Sequence, residues 1–70
     1  MKAIVGETYQ HYRGRVYQVI AIAKHTEEDH EFVIYKDNSD LVWARPKEMW
    51  EDDSVIYRGG LVSRFTLVEN

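Results

Sequence analysis

Trp43 and Arg45, two positions apart on what reads as a strand, carry the most definite chemistry in this chain. An indole beside a guanidinium, joined by Tyr35 from the neighbouring strand or Tyr12 from the first hairpin, can hold a flat ring, a proline-rich peptide or a carboxylate. It would do so by stacking plus a forked hydrogen bond. The bland alternative puts Trp43 in the core and pairs Arg45 with Glu48 or a backbone carbonyl, the commoner use of an aromatic in so small a domain. His11, Arg13, Arg15 and Arg64 form a second set. Arg13 and Arg15 flank a turn and could touch phosphates, although a basic turn more often serves solubility.

A third cluster, His25 to Glu31, puts two imidazoles and four carboxylates within seven residues, and divalent metals favour such ligands. Consecutive loop side chains rarely converge on one point, so the stretch reads as a solvated acidic loop, and neither a metal site nor a cofactor is expected. His25 is expected to hydrogen-bond a backbone group and His30 to lie at the surface. For catalysis there is no cysteine, no Gly-x-Ser-x-Gly, and no phosphate-cradling glycine loop, since Gly59-Gly60 has no helix after it. Ser54 and Ser63 have no base beside them in sequence, so the expectation is that the protein is not an enzyme.

The element that must position the first set is Leu41 to Trp50. Leu41, Trp43 and Arg45 alternate with Val42 and Ala44 as in a strand. Pro46 ends it, having no N–H for a ladder, and suits the first position of a helix that Lys47-Glu48-Met49-Trp50 can complete. Trp43, Met49 and Trp50 then offer three large pieces of core within one short span.

Earlier in the chain, a lead-in at Lys2–Val5 precedes a strand at Glu7–Tyr12. Arg13-Gly14 reads as a two-residue hairpin loop, followed by a long strand from Arg15 to about Lys24. In that strand Tyr17, Val19, Ala21 and Ala23 form an apolar row taken as core-facing, and a bend is needed to bury Ile20 and Ile22 as well. Phe32–Lys36 is a third strand, returned by a tight turn at Asp37–Asp40. A four-residue loop sets Tyr35 opposite Val42 and Ile34 opposite Trp43. Both faces of this hairpin are apolar, so one is expected to face a barrel interior and the other to be covered by the Met49–Trp50 turn. Strands at Ser54–Arg58 and about Ser63–Val68, joined through a Gly59-Gly60 turn, bring the total to five or six short strands.

Seventy residues make one domain, 1–70, which hides only about 60% of its unfolded surface on folding. Nothing resembles a secretory signal or a membrane span, and a cytoplasmic protein is the default. A net charge of −3 argues against general affinity for a phosphate backbone, though weakly for a local patch. Nine Trp, Tyr and Phe residues fit a β domain that fills its interior and presents binding surface with rings. Short strands with tight turns point to a small closed or half-closed barrel, since closure removes exposed edges.

His11-Tyr12-Arg13-Gly14, Tyr17-Gln18-Val19, Ala23-Lys24-His25-Thr26-Glu27, Val33-Ile34-Tyr35, Trp43-Ala44-Arg45-Pro46-Lys47-Glu48-Met49-Trp50 and Arg64-Phe65 together resemble the small bacterial family called domain of unknown function 1653. The resemblance runs from about Gly6 to Phe65, and Trp-x-Arg-Pro-x-x-Met-aromatic is its most specific part. It implies a mainly β, SH3-like barrel standing alone in bacteria, and no activity. The chain departs from the pattern in a shorter loop between Tyr35 and Trp43 and in Ser63, where proline is usual.

The favoured expectation is a non-catalytic binding module for a protein or peptide partner, using Tyr12, Tyr35, Trp43 and Arg45. An alternative is a barrel binding RNA or single-stranded DNA through His11, Arg13, Arg15 and Arg64. Another makes the exposed apolar patch a homodimer contact, so that the chain is a monomer or weak homodimer.

Overall fold

Tight turns determine which side chains share a face here. In the computed structural model, which describes residues 1–69, the chain forms β1 (Thr8–His11), β2 (Val16–Lys24), β3 (Glu31–Lys36), β4 (Val42–Pro46), α1 (Lys47–Trp50), β5 (Val55–Tyr57), β6 (Gly60–Val62) and β7 (Phe65–Leu67). The β1–β2 connection is three residues long rather than two. The His11 carbonyl accepts from Gly14 N–H and the His11 N–H donates to the Arg15 carbonyl, both at 2.7 Å. Tyr12, Arg13 and Gly14 make the loop, with Gly14 at φ 110°, a conformation glycine adopts at little cost. Arg15 thereby comes across from His11. The β5–β6 loop is Arg58-Gly59 rather than Gly59-Gly60, at φ 52° and 80°, so Gly60 pairs with Tyr57 as the first residue of a seventh, separate strand.

Five strands form one antiparallel sheet in the order β4-β3-β2-β1-β7, and β5-β6 is a separate hairpin. The β3–β4 register differs by one from the expected pairing. Asp37 Oδ1 accepts the N–H groups of Ser39 at 2.8 Å and Leu41 at 3.2 Å, and Asp40 takes a φ of 60°, so the loop runs to five residues. Tyr35 therefore faces Trp43, and Val33 faces Arg45. Directly opposed residues lie on one face of a sheet, so Trp43 and Arg45 share a face with Tyr35 and not with Ile34. Along β2, Val19 faces Tyr35 and Ala21 faces Ile34, which leaves Ile20 as an extra, bulged residue. The alternation shifts there by one. Ile22, not Ala21 or Ala23, continues the inward row of Tyr17 and Val19 and packs against the core.

That core consists of Ala3, Tyr9, Val19, Val33, Tyr35, Trp50 and Phe65. Trp50, with no exposed surface, stacks on Phe65 at 3.6 Å between centroids and 8° between planes. Pro46 is the last residue of β4 and, at ψ 133°, the N-cap of α1 rather than its first helical residue, and a single turn can aim only one large side chain inward. Trp50 takes that place, while Met49 is 44% and Trp43 48% exposed, so neither is the core piece expected. Trp50 packs on the Tyr35 face, and the outer face is not covered by α1. There, the rings of His25 and His30 flank Phe32 at 5.9 and 5.2 Å. The lead-in is no strand. It is held as the Tyr9 hydroxyl donates to the Lys2 carbonyl at 3.0 Å and accepts from Ile4 N–H at 2.8 Å.

Strands β4 and β7 are the two edges of the sheet, and in a flat one they would lie about 19 Å apart. Yet the Arg45 guanidinium on β4 sits 5.5 Å from the ring centroid of Phe65 on β7. The sheet therefore curls into a mainly β, half-closed barrel whose edges meet through side chains and α1 rather than through a ladder.

Candidate functional site

Curling brings the inward-facing ends of β1, β2 and β3 to one rim, and the Arg45 side chain reaches them from the far half of β4. A pocket of about 300 Å³ opens there, lined by His11, Arg13, Arg15, Tyr17, Tyr35 and Arg45. Two half-facing rings form part of its wall, Tyr17 edge-on to Tyr35 at 5.1 Å. The positive charge above them forms no close ion pair, although Arg15 is near enough to Asp37 to help hold that carboxyl low. Among the described residues the ion pairs involve the Met1 amine, His30, Lys36, Lys47 and Arg64, and no carboxylate lies within 4 Å of Arg13, Arg15 or Arg45. Carboxylates gather instead at the opposite end, where Glu28, Asp29, Glu31, Glu48 and Glu51 border a larger pocket of about 480 Å³ together with Lys24 and Lys47. The net charge of −3 thus conceals a cationic rim.

His11 registers that field. Its Nδ1 accepts the Arg13 N–H at 3.1 Å, which places the proton of the neutral ring on Nε2. Burial first, then the guanidinium charges of Arg45, Arg64 and Arg13, hold the imidazole below its ordinary value of 6.5. Unfolded His11 therefore takes a proton first as pH falls. The stability tied to it is complete above about pH 6.5 and is lost as pH drops through the folded value. An NMR titration should give His11 a midpoint below 6.5 in the free protein and a higher one with inorganic polyphosphate present, since a bound anion favours the imidazolium. A free-protein midpoint at or above 6.5 would contradict the cationic rim.

The structure joins parts of two sequence-derived sets, Tyr35 and Arg45 from one, His11, Arg13 and Arg15 from the other. It separates the rest. Arg64 is engaged elsewhere, its Nε donating to the Met49 carbonyl at 2.9 Å and its Nη2 lying 3.7 Å from Asp52. Trp43 shares the inward face of the sheet but swings outward at the edge, where its Nε1 donates to Asp37 Oδ2 at 3.0 Å. That bond leads the effects that lower the Asp37 carboxyl. Tyr12 stands just outside the pocket, stacked on His11 at 4.3 Å and edge-on to Tyr57 at 4.9 Å. Tyr17 and Tyr57 are site residues that the sequence does not single out, the first reading as part of an apolar core row and the second lying in a short strand.

His25, Glu28 and His30 do present ligand-type atoms within 4.8 Å of one another. However, His25 Nδ1 accepts the N–H groups of Glu27 at 3.0 Å and Glu28 at 3.1 Å, as expected of a backbone-bonded histidine. That leaves the ring proton on Nε2, whereas a metal-ligating histidine donates its other N–H outward. The cluster is built as a loop cap. Exposed apolar side chains lie apart from the pocket, Leu41 and Val42 by the β4 edge, Ile56 and Leu61 on the β5–β6 hairpin. Among the described residues no helix is long and apolar enough to cross a membrane.

No curated protein and no solved structure matches this chain. A family model does match, over residues 7–67, a span that takes in all seven strands, the cationic rim and the Trp-x-Arg-Pro-x-x-Met-Trp stretch. The chain belongs to the family described as "Protein of unknown function (DUF1653)".

Proposed function

We propose that this chain is a non-catalytic binding module that takes an anionic ligand at the pocket of His11, Arg13, Arg15 and Arg45, with Tyr17 and Tyr35 as its aromatic wall. The observation that carries the reading is that three arginines line one pocket with no carboxylate within ion-pair reach of any of them. A protein with more acidic than basic residues could neutralise such groups internally at low cost. Leaving them open favours a carboxylate, phosphate or sulfate brought from outside, which guanidinium forks bind in two-point fashion. By the resemblance of its sequence the module is bacterial, and the cytoplasm is its default compartment.

Heparin, a flexible polyanion, tests this without presupposing the ligand. The wild-type protein should be retained on a heparin column at low salt despite its net negative charge. The triple variant Arg13→Ala, Arg15→Ala, Arg45→Ala should flow through. A control that removes the same charge elsewhere, Lys2→Ala, Lys24→Ala, Lys36→Ala, should remain bound. Flow-through of the wild type, or equal loss in both triple variants, overturns the reading.

A further inference from the structure

Resting on the anion-binding reading above, we propose that the ligand is single-stranded nucleic acid, and that Tyr12, Tyr57 and Arg58 form a base-stacking extension of the pocket. The extension is a ring-and-cation track. Tyr57 packs edge-on to Tyr12 at 4.9 Å, Tyr12 stacks on His11 at 4.3 Å, and His11 is a pocket residue. Each tyrosine ring carries a guanidinium near it, Arg13 at 5.6 Å from the Tyr12 centroid and 5.9 Å from that of Tyr57, Arg58 at 5.1 Å from that of Tyr57. Both rings are only half-buried. A surface that alternates aromatic faces with cations, running out of a cationic pocket, matches a chain that alternates flat bases with phosphates. A run of acidic side chains would use the arginines but has no ring to lay on the tyrosines. A duplex hides its bases, so it would leave them unused as well.

A second, independent observation comes from the β5–β6 turn. Both loop residues have positive φ, and the first of them is Arg58, at 52°. Asparagine, aspartate or glycine suits that position, whereas a long side chain is strained in it. Strain of this kind persists where the side chain has a use. Here Arg58 is exposed and held over Tyr57, at the far end of the track. The Arg58→Asn variant should accordingly be more thermostable than the wild type yet bind more weakly, a combination that a purely structural arginine would not give.

The test is fluorescence anisotropy with labelled oligouridylate of about ten nucleotides, a length within the reach of small barrels, compared with an abasic strand of equal length and with poly-glutamate. Oligouridylate should bind about tenfold more tightly than the abasic strand, and log affinity should fall against log salt with a slope of about −2, as three phosphate contacts to a single strand require. Tyr57→Leu should weaken oligouridylate about five- to tenfold, while leaving the abasic strand and heparin retention unchanged. Equal affinity for oligouridylate and the abasic strand overturns the stacking track, as does a Tyr57→Leu variant that binds like wild type. Tighter binding of poly-glutamate reassigns the site to an acidic protein and overturns it too. Retention on heparin without oligonucleotide binding leaves the anion pocket standing and removes this inference. Failure on both removes both.

Discussion

Replacing Trp50 with alanine should cost about 3–5 kcal/mol of folding stability, the range for deleting a fully buried indole. A domain of this size holds roughly 4–10 kcal/mol in all, so the variant is expected to sit near its unfolding midpoint at 25 °C. The magnitude follows from what the ring touches. It lies flat on Phe65 at 3.6 Å, meets Tyr35 at 4.9 Å and takes Tyr9 edge-on at 5.5 Å, which ties β7, β3 and β1 to one side chain. It also anchors α1, whose four residues have no side-chain cap and are far too few to be helical alone. Its Nε1–H is buried without a partner, a penalty that phenylalanine would not bear. Trp50→Phe should therefore lose less than half as much. Urea unfolding followed by circular dichroism measures both variants. In Trp50→Phe the remaining emission comes from Trp43 and should be red-shifted, as befits an indole 48% exposed. A loss below about 1 kcal/mol for the alanine variant would show that the half-barrel closes without this ring.

Local signals in the sequence were reliable where one residue type dictates geometry. Pro46 is the point where β4 stops and after which α1 starts, and alternation places β1, β2 and β3 within a residue or two of where they lie. Register was less legible, because it depends on loop length, and loop length depended on how Asp37 bonds to its own turn. One aspartate accepting two backbone N–H groups, with Asp40 at positive φ, adds a residue that composition does not reveal. That residue decides which face carries Trp43 and Arg45. The pocket was legible only in halves. Tyr35 with Arg45 and His11 with Arg13 and Arg15 looked like competing sites, since nothing in the order of residues says that the rim of β1 and β2 curls round to β4. The curl is a property of the whole sheet, whose twist and bulge act through distances that no short motif encodes.

The bulge itself yields the second large effect. Strict alternation along β2 groups Ile20 with Ile22 and makes them equivalent. In the structure they are not: Ile20 is the extra residue and 39% exposed, whereas Ile22 faces Val33 and packs on the core. Aspartate at position 22 would put a carboxylate among Val19, Val33 and their neighbours, where the two nearest cations of that face are engaged elsewhere: Lys24 is exposed at the end of β2, and Arg45 lies across β3 and points at Phe65. Uncompensated charge at such a site costs about 3–5 kcal/mol, so Ile22→Asp should leave the protein largely unfolded at neutral pH. Lowering the pH towards 4 should return part of the fold, because the carboxyl is then neutralised before other acid losses dominate. Ile20→Asp should fold normally, with a change within about 0.5–1 kcal/mol, the scale of surface substitutions. Urea midpoints for the two variants compare them directly. If they lose stability equally, the ladder runs without its bulge, β2 is straight, and the curl that brings Arg45 round to Phe65 must have another origin.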